Sequence, residues 1–184
     1  MFKKIRQIII KITIFAWVLS GVFVVLCPNF AFADTDILKQ KTKAVFLYKL
    51  FDYVSRSSSK NNGGNPFQLC IYDQDILKKD LEYIQNKKSD KQFFIRSTSQ
   101  LNGLKDCDIL YLGTIEGSVL KYLKSDKRNS LLTISDAPNS FDKGVMISIF
   151  FKSSKLRLNI NRTRIYQLGF ELKPKIFRLT DQIK

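Results

Sequence analysis

Phe67-Gln68-Leu69-Cys70-Ile71-Tyr72 and Cys107-Asp108-Ile109-Leu110-Tyr111-Leu112 are the two stretches on which the fold turns. The first is a near-continuous apolar run, the pattern of a strand covered on both faces of a sheet. Asp73 is placed to cap a following helix, in which Ile76, Leu77, Leu81 and Ile84 form an apolar stripe, and Lys91 to Arg96 reads as a second strand. Strand, helix, strand in that rhythm predicts a parallel sheet with right-handed helical crossovers.

The rhythm continues downstream. Asp108 to Leu112 forms a third strand, Glu116 to Leu123 a helix with Val119, Leu120 and Leu123 inward, and Leu131 to Ser135 a fourth strand. Val145 to Phe151 and Leu156 to Ile160 then flank Lys152-Ser153-Ser154-Lys155, the pattern of an antiparallel hairpin. Asn161 is placed to cap a helix running to about Phe170, with Gly169 near its end. Pro174 is well placed at the start of a last amphipathic helix carrying Ile176, Phe177 and Leu179. Upstream, Ile37, Leu38, Ala44, Val45, Leu47, Tyr48, Phe51 and Val54 fall largely on one face of a helix. Arg56 to Pro66 has the Ser, Asn and Gly content of a surface loop. The fold class expected is α/β: a single three-layer domain with a mostly parallel central sheet, a C-terminal antiparallel hairpin and flanking helices.

Met1 to Ala33 reads as a secretory signal peptide. Lys3, Lys4, Arg6 and Lys11 supply a basic start, Ile12 to Leu26 an apolar core, and Ala31-Phe32-Ala33 a small-residue cleavage site that leaves Asp34 first in the mature chain. The alternative is an uncleaved transmembrane anchor, since the apolar run approaches the ~20 residues that span a bilayer. Cys27 follows bulky Leu26, where lipid attachment wants a small residue, and leaves with the signal. Residues 34–184 are long enough for one core, and no linker divides them.

The chain contains 0 His, which removes Ser-His and Cys-His nucleophilic arrangements and His-containing zinc sites together. No G-x-S-x-G elbow, P-loop or G-x-G-x-x-G turn is present. Asp73 with Asp75, and Asp106 with Asp108, are acidic pairs at strand ends, where such residues usually cap helices or face water rather than hold a cation. No catalytic residue, metal site or cofactor follows from these residues. Cys70 and Cys107, in a chain sent to an oxidising compartment, are expected to form a disulfide. The alternative is two separate thiols behaving as small apolar residues.

Removing the four basic residues of the presequence from 31 leaves 27 Lys+Arg against 16 Asp+Glu. The excess is uneven: Lys143 to Lys184 holds ten basic residues against only Glu171 and Asp181. With Tyr166, Phe170 and Phe177 interleaved, such a segment suggests nucleic acid in a cytoplasmic protein, a reading that export argues against. Anionic lipid head groups, an acidic protein face and a merely solvated surface remain. Asn161-Arg162-Thr163 matches a glycosylation sequon by chance.

In order along the mature chain, the residues resemble the YfiR-like periplasmic proteins. The stretches that carry this are Lys43-Ala44-Val45-Phe46-Leu47-Tyr48, the two quoted above, Leu131-Leu132-Thr133-Ile134-Ser135-Asp136, Phe141 with Gly144-Val145-Met146-Ile147, and Leu156-Arg157-Leu158-Asn159-Ile160-Asn161. The chain departs from the family's paired glycines at Gly144-Val145, from an acidic residue at Asn159, and from a tryptophan in the Ser55 to Ser59 run. The resemblance implies a disulfide between the two strand cysteines and a mixed sheet flanked by helices. It also implies a periplasmic regulator that binds the periplasmic part of an inner-membrane diguanylate cyclase and holds it inactive. Release by an outer-membrane lipoprotein, or by a change of thiol redox state, then raises cyclic di-GMP and favours biofilm.

Other readings stay open from the sequence. A periplasmic small-molecule binding subunit for a sensor or transporter would place a pocket near Asp73, Gly113 or Asp136, at the carboxyl ends of the parallel strands. A basic adaptor at an anionic membrane surface is a third, and an enzyme the last. Interface residues are not legible, and whether the chain is a homodimer is left open.

Overall fold

The structure, a computed structural model, describes residues 33–56, 66–72, 75–88, 93–101, 104, 106–125 and 131–184. The signal-peptide reading up to Phe32, Asp73 as a helix cap, and Lys91 and Gln92 as strand residues lie outside these. The chain divides between Lys39 and Gln40, and the second unit, Gln40 to Lys184, holds all of the described fold except the opening turns of the first helix.

That first helix, α1, spans Ala33–Leu50 and gives way to a short strand, β1 (Val54–Arg56). The chain then alternates through β2 (Phe67–Tyr72), α2 (Asp75–Lys88), β3 (Phe93–Thr98), β4 (Ile109–Leu112), α3 (Gly117–Lys124) and β5 (Leu132–Ser135). The hairpin β6 (Ile147–Lys152) and β7 (Lys155–Ile160) follows, then α4 (Arg162–Gln167), β8 (Phe170–Leu172), a 3-10 helix (Pro174–Leu179) and β9 (Thr180–Ile183). Seven strands form one sheet in the order β3-β2-β4-β5-β6-β7-β9; β3 to β6 pair in parallel, β6 and β7 antiparallel, and β7 and β9 parallel. The mostly parallel α/β fold with its antiparallel hairpin is as the sequence predicts.

Order and covering have one cause. From β2 the chain steps outward to β3, then returns to the other side of β2 to lay down β4, β5 and β6 in succession. Right-handed crossovers in opposite directions place their helices on opposite faces. Alternation along each strand feeds both layers. Leu69, Ile71, Ile109, Tyr111, Leu132 and Ile134 turn to one side, where they cluster with Leu47 and Leu50 of α1 and Leu77 and Leu81 of α2. Cys70, Leu110 and Leu112 turn to the other, with Val119 and Leu123 of α3 and Leu104, Ile115 and Val145. Both faces are therefore buried, which is why β2 and β4 read as near-continuous apolar runs.

The ends of the chain differ from expectation. The helix after Asn161 stops at Gln167, not near Phe170: Gly169 takes a left-handed turn (φ 79°), and Phe170-Glu171-Leu172 becomes a strand with its two apolar residues buried. That strand pairs antiparallel with β1, Arg56 opposite Phe170 and Val54 opposite Leu172, so Arg56 begins no loop. The last helix is 3-10, and Thr180 to Ile183 forms a strand beside β7 that the sequence reading did not include. Sheet pairing cuts both helices short at this end: Phe170–Leu172 pairs with β1 and Thr180–Ile183 with β7. Ile37, Leu38 and Val45 on α1, and Ile76 on α2, are exposed rather than part of an inward stripe. Gly144 carries the left-handed backbone (φ 97°) in its turn, so Val145 needs no such angle and its side chain is buried.

The hairpin turn yields a prediction. Ser153 and Ser154 both hold positive φ, 49° and 60°, in a two-residue connection that favours Asn-Gly. Ser153→Asn with Ser154→Gly should raise unfolding stability by about 1 kcal/mol, read as a higher urea midpoint at unchanged slope.

Candidate functional site

The amino end of β4 gathers the features the sequence singled out. Cys70 and Cys107 are bonded to each other, with Cα atoms 5.8 Å apart, and both are buried. Strands β2 and β4 are hydrogen-bonded neighbours, and the bridge joins the middle of one to the residue two before the other. Next to it, Asp108 donates its N–H to the Gln68 carbonyl (3.0 Å), and its carboxylate accepts from the Gln68 N–H (2.8 Å). The same carboxylate meets the Arg56 guanidinium at 2.6 Å, with only 15% of the Arg56 side chain and 28% of the Asp108 side chain exposed. Arg56 also lies over the Phe67 ring, 4.2 Å from its centroid. The small β1–β8 sheet is thereby clasped to the residue beside Cys107. Asp106, by contrast, is mostly exposed and faces Arg96 only at 4.0 Å, a contact worth little.

A second polar group closes the carboxyl end of the sheet. Asp136 follows β5 directly, pairs with Lys43 of α1, and accepts a hydrogen bond from the Tyr111 hydroxyl (2.5 Å). Burial pushes the Tyr111 phenol far above the ordinary tyrosine range, and the neighbouring Asp136 charge and the hydrogen bond to it push the same way. Of the positions where a ligand pocket was expected, Asp73 lies outside the described residues, and the Asp136 carboxylate is occupied by Lys43 and Tyr111. The grooves described are elsewhere. One of about 520 Å³ runs along Gly117, Leu120, Lys121, Lys124 and Ser125, and one of about 440 Å³ is lined by Tyr166, Phe170, Glu171 and Leu172.

Among the described residues no group of three His, Cys, Asp or Glu side chains is placed to hold a metal ion. The buried serines serve the fold: Ser135 Oγ donates to the Leu112 carbonyl (2.7 Å), and Ser140 and Ser148 hydrogen-bond each other (2.5 Å). This arrangement offers rigid surfaces and a covalent staple. Sequence reasoning found the cysteines but missed both clasps. Lys43, Tyr111 and Asp136 all lie in stretches that carry the family resemblance, and Asp136 is also marked by its place at the carboxyl end of a parallel strand. Asn161 caps α4 as expected, its Oδ1 accepting from the Arg164 N–H at 3.0 Å.

Two predictions follow from this geometry. Opening the bridge as Cys70→Ser with Cys107→Ser should cost roughly 4 kcal/mol on the chain-entropy estimate, measured by denaturant unfolding against the oxidised parent. Because the Tyr111 pKa is raised in the folded state, the stability it contributes is fully present below about pH 10, tyrosine's ordinary value, and is lost as pH rises beyond it. Tyr111→Phe should lower stability at neutral pH by about 1–2 kcal/mol and flatten the loss of stability above pH 10.

Residues 40–181 match the family model described as YfiR/HmsC-like. Among solved structures, a conserved domain protein from Vibrio cholerae O1 biovar El Tor superposes with a TM-score of 0.53 at 11% identity, over 79% of this chain and 60% of that one. The likeness supports the fold alone, and the chain spans about 60% of that structure's length. No curated protein matches the chain.

Proposed function

The chain belongs to the YfiR/HmsC-like family, and from that premise we propose that it is a periplasmic regulatory protein that binds the periplasmic part of an inner-membrane diguanylate cyclase and holds it inactive. Met1 to Ala33 is its signal peptide, cleaved before Asp34, and residues 34–184 are the working domain. An outer-membrane lipoprotein competes for the domain and releases the cyclase, raising cyclic di-GMP and favouring biofilm. The chain itself carries out no catalysis and needs no cofactor. The observation that carries this reading is the family match over residues 40–181, which contains the Cys70–Cys107 bridge. No helix among the described residues is long and apolar enough to cross a membrane.

The mechanism is differential binding. A repressor moves the cyclase toward its inactive state only by as much as it prefers that state, about 1.4 kcal/mol for each tenfold of preference. A rigid binding face makes such a preference sharp, and the disulfide with the Arg56–Asp108 clasp supports that rigidity at the amino end of β4. In this reading the bridge holds the domain in its binding-competent form, and reduction loosens it.

Affinity capture of membrane proteins on the oxidised and the reduced chain tests this, with cyclic di-GMP measured in cells lacking the gene. A diguanylate cyclase should be retained by the oxidised form and weakly or not at all by the reduced one. Cyclic di-GMP should rise on deletion and fall again with the wild-type chain but not with Cys70→Ser, Cys107→Ser. Unchanged nucleotide and no cyclase on a folded column would overturn the regulator. Normal capture by the double cysteine variant would leave the regulator standing and remove the redox role.

A further inference from the structure

We propose that the rim built by α4, the 3-10 helix and the chain end docks on an anionic phospholipid surface. The inference rests on surface chemistry and does not depend on which protein the domain regulates. Its centre is Arg162, whose guanidinium lies over two rings at once, 5.0 Å from the centroid of Tyr166 and 5.5 Å from that of Phe177. This contact joins α4 to the 3-10 helix, on which Lys175 and Arg178 are exposed, with Lys173 just before it. Arg157 donates to the Arg178 carbonyl (3.4 Å), and the Thr163 N–H donates to the Lys184 carbonyl (3.3 Å), so β7 and the chain end meet the same rim.

Soluble protein surfaces normally intersperse charges of both signs. Here Lys152 is matched by Asp181 at 3.0 Å, and Lys184 by Asp142 only at 4.0 Å, whereas Arg162, Lys173, Lys175 and Arg178 have no carboxylate within ion-pair distance among the described residues. Contact with two rings positions Arg162 without neutralising it, which leaves N–H groups for phosphate oxygens. Tyr166 is 39% exposed, an apolar ring with a polar tip of the kind that settles at a membrane interface.

The other anionic partners fit less well. Single-stranded nucleic acid asks for successive exposed rings on which bases stack, and the rim offers one, its second ring being partly buried against the core. A protein partner asks for a pocket to receive an anchoring side chain, and the shallow groove beside Tyr166 contains Glu171, which repels an acidic one. An array of exposed cations around an amphipathic ring suits a plane of phosphates.

Co-sedimentation with vesicles tests this, using the chain purified as the cell leaves it. The vesicles are phosphatidylcholine alone or phosphatidylcholine containing one-third phosphatidylglycerol, and only the increment due to the anionic lipid is read. The increment should vanish at high salt. Each removed charge should cost about fivefold in partitioning, so Arg162→Gln, Lys175→Gln, Arg178→Gln together should cost on the order of a hundredfold. The positions are exposed, so the triple variant should stay folded, its unfolding midpoint lowered only by the loss of the Arg162 ring contacts. Removing the same number of charges elsewhere, as Lys79→Gln, Lys121→Gln, Lys124→Gln, should leave most of the increment in place. Equal binding to both vesicle types, an equal loss in the control variant, or preference for a short DNA over the anionic vesicles would each overturn the proposal.

Discussion

Parallel pairing of β2 with β4 brings together cysteines separated by 37 positions, and such a contact costs loop-closure entropy before any packing offsets it. The Cys70–Cys107 bond removes that cost from the folded side of the balance by restricting the unfolded chain instead. The pairing it secures is also where the strand order reverses, so the placement of α2 on one face and α3 on the other depends on it. A slip of one residue between β2 and β4 would exchange Leu69 and Ile71 for Cys70 and Tyr72, and both layers would lose their matching faces. Strand register, layer assignment and the bridge are one constraint seen three ways.

Charges in this fold are kept to the ends of the sheet, and physical cost explains why. A carboxylate inside the β2–β4–β5 core would need a partner and further hydrogen bonds to offset its desolvation. Asp108 and Asp136 instead sit one residue outside the strands, at opposite ends, where each keeps some access to water. From there each reaches a basic residue on an element that is not part of the main sheet. Arg56 ties in the β1–β8 pair, and Lys43 ties in α1, so two peripheral elements gain a fixed position without burying an unpaired charge. Tyr111 completes the second clasp from within the core, its ring packed among apolar neighbours and its hydroxyl at the edge.

The central part of the fold was legible because burial on both faces leaves a distinctive composition: β2 and β4 are apolar at nearly every position, while β5 alternates Leu132 and Ile134 with the buried Thr133 and Ser135. The C-terminal part was not. Phe170-Glu171-Leu172 is too short to show alternation on its own, and its strand character comes from Val54 to Arg56, more than a hundred residues earlier. Arg56 read as the first residue of a loop because nothing local marks it as the partner of Asp108. The pairing of β9 with β7 carries a register shift between Leu158 and Asn159, the kind of irregularity that no period-two pattern predicts. The bridge was legible from compartment and count. The clasps were not, because a Lys, an Asp and a Tyr at distant positions acquire meaning only when the topology places them together.

The charge excess makes sense against that division of labour. Core and clasps use few charges, so most of the basic residues are free to be distributed by surface requirements rather than by folding. Their concentration after Lys143, on the hairpin, α4, the 3-10 helix and the chain end, falls on the part of the molecule farthest along the sheet from β3. For the regulator proposed above, resting on the membrane that holds its enzyme would raise the effective concentration of each for the other without any new contact between them. Weak, salt-sensitive attraction is suited to this task, since tight anchoring would slow exchange with a competing partner. On the proposed reading, the basic rim sets where the domain sits and the bridged, clasped strands set how firmly its binding face is held.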